Sequence, residues 1–287
     1  MILRTRAPGK INLCLYVGPT DAATGLHRIV SVIEPLSLAD DLELGRGFAH
    51  ARDEVECDGV AGPNLAADAL ARFRQTTGWD GPPVHLRIDK RLPVAAGMGG
   101  GSSDAAAALR LVARLAGRDG DQVAPGLGSD VPALMRTVPA LVTGTGEQVT
   151  LLEPLRAHAV VVLPSSTPGL TAAEVYAEAD RLGSPRPSLD AARASVEAAL
   201  ARGELPDPVN DLQAAARSLR PAIDDALEAL RDAGAEHAFV TGSGPTAAGI
   251  FTDELGAKGA VARLRDRWPG AAAATPVDAS FGEVTVA

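Results

Sequence analysis

The segment Pro93-Val-Ala-Ala-Gly-Met-Gly-Gly-Gly-Ser-Ser103 holds the residue types that bind phosphate. Gly99, Gly100 and Gly101 permit positive φ and leave no Cβ between the backbone N–H groups and a ligand. Ser102 and Ser103 then open a stretch to Ala116 dense in alanine and leucine. The first N–H groups of such a helix lack intrahelical partners and, with its dipole, attract an anion. No lysine follows the glycines as in a Walker A loop, the spacing is not that of a dinucleotide fingerprint, and no protein-kinase signature set accompanies it. A glycine cluster alone reads as a flexible turn. Its place between a strand and a strong helix favours a phosphate cradle.

Other residues stand out by type and position. The only lysines are Lys10, Lys90 and Lys258, in a chain that otherwise uses arginine. Asp130, in Leu-Gly-Ser-Asp-Val-Pro, reads from the residues alone as a helix cap before Pro132. His27 by itself is a loop histidine, and Tyr176 a helix residue that would pack a core. Gly242-Ser243-Gly244 forms a second tight turn.

These residues need positioning elements. Alternation from Lys10 to Val17 predicts a half-buried strand with Ile11, Leu13, Leu15 and Val17 on one face and Lys10, Asn12, Cys14 and Tyr16 on the other. Lys10 and Asn12 would project together. Apolar runs at 29–33 and 42–44 predict two further strands, Asn64 caps a helix through Ala71, and Val84–Asp89 alternates as a strand before the glycine loop. Short strands at 140–142 and 148–152 flank a hairpin-like turn at Gly144-Thr-Gly146. Beyond a buried strand at 159–163, helices are expected over 171–182, 189–202, 211–219 and 222–233. Strands at 237–241 and 247–251, a helix to about Trp268 and a strand near Ala274 follow. The boundary between an N-terminal unit, 1–153, and a C-terminal unit, 154–287, falls near Glu153-Pro154.

Composition narrows the classes. Hydrophobic residues make up 46% of the chain and aromatics 3%, so an ordinary globular core must be aliphatic. The formal charge of −9 disfavours nucleic acid as a partner, while a local set of amides and cations still accommodates a small anion. Cys14 and Cys57 are too few for a disulfide framework or zinc site. The chain has no signal-like start and no run approaching a membrane span, so a cytoplasmic location is expected and no membrane partner. No feature sets an oligomeric state.

The stretch Pro93–Ala106 closely resembles the second motif of the galactokinase, homoserine kinase, mevalonate kinase and phosphomevalonate kinase superfamily, the GHMP kinases. Ala7–Leu13 is similar to its first motif and Val240–Phe251 to its third. Within that superfamily, Ile88–Ala106, Leu127–Met135, the Gly25-Leu26-His27 segment, Asn64–Leu70 and Val209–Gln213 are most similar to the family that phosphorylates a cytidine-diphosphate-linked methylerythritol in non-mevalonate isoprenoid synthesis. The resemblance spans nearly the whole chain. It implies an α+β, two-domain GHMP kinase fold, with an N-terminal ribosomal-protein-S5-like domain and a C-terminal ferredoxin-like domain around a cleft. It implies ATP as donor, with Mg²⁺ accompanying the nucleotide, and the substrate's 2-hydroxyl as acceptor. Another GHMP kinase, acting on homoserine, mevalonate or a sugar, and a non-catalytic ligand sensor of this fold are the alternatives.

Residue by residue, the resemblance makes Asp130 the catalytic carboxylate and Lys10 the lysine beside it. A compact ammonium there would keep the carboxylate ionised and oppose charge growing on the attacking oxygen. Asn64 and Lys90 match positions near adenine and ribose, and Pro93, Val94, Ala95, Ala96, Gly97, Met98, Gly99, Gly100, Gly101, Ser102 and Ser103 form the ATP loop. Asn12, His27, Tyr176, Gly242, Ser243 and Gly244 fall on the acceptor side, with His27 reading cytosine and Tyr176 stacking on it. No metal ligands are identified. Two features depart from the pattern: Leu26 stands where the family usually has tyrosine, and the stretch from Leu115 to Gly128 is short.

Overall fold

A computed structural model describes residues 1–46, 52–58, 63–93, 96–165 and 170–287. Two long antiparallel strands, β1 (Leu3–Thr20) and β2 (His27–Arg46), form the spine of the first sheet. With β3 (Glu54–Cys57), β4 (Val84–Asp89) and a C-terminal strand that returns to β1, they run in the order C-terminal strand, β1, β2, β4, β3. The hairpin β5 (Ala140–Thr143) and β6 (Gln148–Leu151) pairs with β2 at residues 31–33.

The predicted strands at 29–33 and 42–44 are therefore one strand. The polar run around Glu34-Pro35 hides this in the sequence. β2 pairs with β5 at 31–33 and with β4 only from Asp41, so Pro35 sits where no ladder bond from its missing N–H is needed.

β1 also departs from its expected half-burial. From Ala7 to Val17 every residue is buried, Lys10 and Asn12 included. Its alternation breaks as well: Asn12 pairs with Ile33 but Cys14 with Val32, so Leu13 is an extra residue, a β-bulge. Past the bulge the faces exchange. Ile11, Leu13, Cys14 and Tyr16 pack in one cluster between the two sheets, while Leu15 and Val17 join another beneath the C-terminal helices.

Two helices cover the first sheet: α1 (Leu65–Thr77) and α2 (Gly100–Ala116). Asn64 caps α1 as expected, accepting from the Ala66 amide at 2.9 Å, but the helix runs on past Ala71 and buries Phe73 completely. Asn64→Ala is expected to cost about 1 kcal/mol of stability, read by denaturant unfolding. α2 begins at Gly100, earlier than the predicted Ser102, and buries Ala105 to Leu109 on both sides. The small side chains let it lie close against β1 and α1 at once. The short link after α2 is a 3-10 turn, Asp121–Gly126, with Val123 and Ala124 in this core; α3 (Val131–Leu134) follows.

The second sheet comprises β7 (Ala159–Leu163), β8 (His237–Val240), β9 (Ala247–Phe251) and β10 (Ala272–Ala274), antiparallel in the order β10-β7-β9-β8. One face packs on α4 (Ala172–Leu182), α6 (Gln213–Leu219), α7 (Ile223–Asp232) and α8 (Glu254–Leu264); α5 (Asp190–Ala201) contributes Ala192 and Val196 to the core between the sheets. The chain ends in β11 (Thr285–Val286) against β1, a strand that sequence periodicity does not reveal, as it does not reveal β3. The folded chain is thus a mixed α+β molecule of two sheets with their helices. No helix among the described residues is long and apolar enough to cross a membrane.

Candidate active site

Three glycine-bearing or bulged segments converge where the two sheets meet. β1 carries Lys10 and Asn12 just before its bulge, the loop before α2 passes beside them, and the β8–β9 turn closes from the second sheet. The Lys10 amide donates to the Met98 carbonyl at 2.9 Å, and the Asn12 amide to Thr241 Oγ1 at 3.0 Å. Asn210, just before α6, donates from Nδ2 to the carbonyls of Val240 at 2.6 Å and Gly242 at 2.8 Å, which fixes that turn.

The contacts are tight enough to require glycine. At Gly97 (φ +74°) a Cβ would lie 2.8 Å from the Gly244 carbonyl oxygen and 2.9 Å from that of Thr241. At Gly99 (φ +67°) it would lie 2.8 Å from Lys10 Cγ. The loop therefore lies against both the Lys10 side chain and the turn, a close approach that only a bare backbone permits.

Lys10 Nζ donates to Asn12 Oδ1 at 2.6 Å and lies 3.3 Å from Asp130 Oδ2. Asn12 Nδ2 donates to Ser31 Oγ, which donates onward to the Cys14 carbonyl. This chain of buried hydrogen bonds fixes the Asn12 amide with its oxygen toward Lys10. Asp130 occupies the position before α3, yet its side chain makes no capping hydrogen bond. The helix-cap reading thus fails for the side chain: its carboxylate faces Lys10 instead and remains partly open to solvent.

Lys10, Asn12 and Asp130 line a cleft of about 690 Å³ together with His27, Tyr176, Asp180, Gly242 and Ser243. His27 Nδ1 is 2.8 Å from the Gly18 carbonyl and Nε2 is 3.1 Å from Asp180, while its ring stacks on Tyr176 with centroids 5.5 Å apart. Burial, then the Asp130 charge, pushes the Tyr176 hydroxyl up to about 12, so it stays neutral and cannot serve as a base. Leu26 is exposed on the rim of the same cleft.

A second cavity, of about 370 Å³, lies on the other side of the loop. Asn64, Lys90, Pro93, Ala96, Gly100, Gly101 and Ser102 line it, and Gly97 and Gly99 border both spaces. Gly99 precedes α2 without any side-chain cap, so the first amides of that helix keep their capacity for an anion. Lys90 Nζ is 2.8 Å from Asp104 and 2.5 Å from Asp40. Neither carboxylate stands out in the sequence, although Asp104 lies inside the loop motif itself. Nor do Asp180, Thr241 and Asn210, the last within the Val209–Gln213 segment.

Some expected residues lie elsewhere. Met98 is buried beneath the loop, Ser103 is fully buried, and Gly244 backs onto Gly97; none of the three lines either cavity. Val94 and Ala95 lie outside the described residues. Among the described residues no group of three or more His, Cys, Asp or Glu side chains is arranged to hold a metal ion.

A model of the GHMP kinases N-terminal domain matches residues 64–131, and one of the GHMP kinases C-terminal domain matches 188–270. A 4-diphosphocytidyl-2-C-methyl-D-erythritol kinase from Anaeromyxobacter dehalogenans is 40% identical over 96% of this chain and 90% of its own length. One from Methylobacterium radiotolerans is 37% identical over 94% and 96%. A crystal structure of 4-(cytidine 5'-diphospho)-2C-methyl-D-erythritol kinase superposes with a TM-score of 0.79 and 31% identity, covering 95% of this chain and 98% of that one. A homoserine kinase from Cytophaga hutchinsonii shares the fold, with a TM-score of 0.67 at 17% identity over 99% and 97% of the two chains.

Proposed function

The chain belongs to the 4-diphosphocytidyl-2-C-methyl-D-erythritol kinase family of the GHMP kinases, and from that premise we propose that it transfers the γ-phosphoryl group of ATP to the 2-hydroxyl of that cytidine-linked substrate. The observation that carries this reading is the Lys10–Asp130 pair at the point where two cavities share the Gly97–Gly99 wall. We assign the smaller cavity to ATP and the larger cleft to the acceptor.

In this assignment the triphosphate rests on the first amides of α2, with Asn64 and Lys90 flanking the nucleotide. The substrate hydroxyl lies between Asp130 and the donor. Asp130 takes its proton as the oxygen attacks the γ-phosphorus; the new oxygen–phosphorus bond forms, the bond to the β–γ bridging oxygen breaks, and ADP leaves. Lys10, oriented by Asn12, offsets negative charge on the attacking oxygen. Mg²⁺ would accompany the nucleotide and neutralise phosphate charge; among the described residues no group of three or more His, Cys, Asp or Glu side chains is arranged to hold it.

On the acceptor side, Tyr176 supplies a stacking face and His27 a polar edge for cytosine, with Leu26 giving an apolar rim contact in place of a second ring. Gly242 and Ser243 lie where the substrate's diphosphate would meet backbone amides. Proteins of this family act ahead of isoprenoid assembly, and we place the chain in that route, in the cytoplasm where its substrate would be made.

His27→Ala is expected to raise the KM for the cytidine substrate about tenfold or more, the loss of a hydrogen bond to a buried polar base, with little change in the KM for ATP. Steady-state kinetics with each substrate varied in turn checks this. An equal rise in both constants would argue against the division into acceptor cleft and donor cavity.

A further inference from the structure

Lys90, Asp40 and Asp104 form a buried charge cluster behind the smaller cavity, in which two carboxylates share one ammonium. The two carboxylates differ in their bonding. Asp40 Oδ1 accepts from the Arg91 and Leu92 amides at 2.6 and 2.8 Å, and its Oδ2 from Lys90 Nζ at 2.5 Å. It is saturated and anchors the chain leading into the loop to β2. Asp104 Oδ2 accepts from Lys90 Nζ at 2.8 Å, but its Oδ1 is buried with no hydrogen-bond partner among the described residues. Asp104 is only 4% exposed and borders the cavity.

Resting on the assignment of this cavity to ATP, we propose that Asp104 is a positioning residue that competes with the nucleotide's phosphates for Lys90 and takes up a proton when the phosphates win. The resemblance sets Lys90 near adenine and ribose, but its Nζ lies 3.3 Å from the point a Cβ on Gly100 would occupy, so it also reaches the first amides of α2 where phosphate oxygens would sit. Phosphates there draw the ammonium away from Asp104. The carboxylate is then left buried between Asp40 and the polyphosphate, two like charges, and the neutral acid is favoured.

Among the described residues the charged and titratable groups around Asp104 are Lys90 beyond β4, Asp40 on β2 and Cys57 on β3, with Asp58 next to Cys57; Lys10 of β1 lies past Gly99, and α1 brings Leu65 to the cavity, beside its cap Asn64. Burial, opposed by Lys90 and reinforced by Asp40, pushes the Asp104 carboxyl up to about 7. Below that value the acid is neutral and leaves Lys90 to the nucleotide. As pH rises through it, the carboxylate holds Lys90 more firmly, so nucleotide affinity falls. Each unit by which bound phosphates raise the carboxyl further corresponds to about a tenfold loss across that range.

The test is calorimetric titration of Mg-ADP into the whole chain at pH 7, in two buffers of low and high ionisation enthalpy, for the wild type and Asp104→Asn. Protonation of the ligand itself is common to both proteins, so their difference isolates the side chain. The wild type is expected to take up about half a proton more than the variant, and only the wild type should lose affinity between pH 6.5 and pH 8.5, by about three- to tenfold. Asp104→Ser, as a second variant, should behave as the asparagine does. Equal proton uptake, or an affinity loss of the same size at every pH, would overturn the inference and leave a packing role. If neither protein binds Mg-ADP, the donor-site assignment falls and the inference with it.

Discussion

Asp130→Asn is expected to lower kcat by about 10²- to 10⁴-fold while both substrates still bind, because the amide keeps the shape of the side chain and loses its proton acceptor. The neighbouring groups make the substitution informative. Lys10 stays hydrogen-bonded to Asn12 at 2.6 Å, so its position does not depend on Asp130 alone. Asp130 makes no capping bond to α3, so the asparagine removes none. A fall in kcat with unchanged thermal stability would therefore report chemistry rather than folding. Tyr176 offers no bypass, since its hydroxyl, pushed up to about 12, is a poor base at neutral pH.

The second large effect is expected at Gly97. Alanine there would bring Cβ to 2.8 and 2.9 Å from two carbonyl oxygens of the β8–β9 turn, at a φ of +74°. Left-handed backbone costs a non-glycine residue about 1–2 kcal/mol, and the clash adds to that because neither contact is the far end of a flexible side chain. The loop must move off the turn. A displacement near 1 Å at a phosphate-positioning segment can cost about 10²-fold in turnover, so Gly97→Ala is expected to lose both stability and activity. Gly101→Ala is the contrasting case. A Cβ there meets nothing within 4 Å and stands in the first turn of α2, so stability should hold or rise by up to about 1 kcal/mol. That Cβ would nevertheless stand at the wall of the smaller cavity, and the KM for ATP should rise. Thermal unfolding and ATP-dependent kinetics on the two variants separate the effects; similar stability losses at both positions would contradict the packing described for the loop.

The glycine loop and the helix behind it were legible because their signals are local: glycines, then a run of alanine with helical spacing. Asn64 was readable as a cap for the same reason. The alternation of β1 misled beyond Asn12, since one bulged residue, Leu13, exchanges the faces of everything after it and leaves no mark in residue type. β2 reads as two strands because its middle pairs with neither β4 nor β5, so the sequence there is free to carry Pro35. Resemblance places the ammonium of Lys90, but its partner Asp40 lies far from it along the chain and meets it through the sheet, and Asp104, within the same motif, is turned toward it only by the start of α2. Asp130 shows the limit most clearly. Its local sequence describes a helix cap, and only the fold turns the carboxylate toward Lys10.

Every assigned residue serves one reaction, phosphoryl transfer to the cytidine-linked substrate. Incubating the chain with ATP, Mg²⁺ and 4-diphosphocytidyl-2-C-methyl-D-erythritol, and locating the new phosphate by phosphorus–carbon coupling in NMR, tests it most directly. The expected result is one ADP released per product, phosphorylated at the 2-hydroxyl, with no comparable turnover of methylerythritol 4-phosphate, homoserine or mevalonate. Release of no ADP with the cytidine substrate, or equal turnover of an acceptor lacking cytidine, would contradict it.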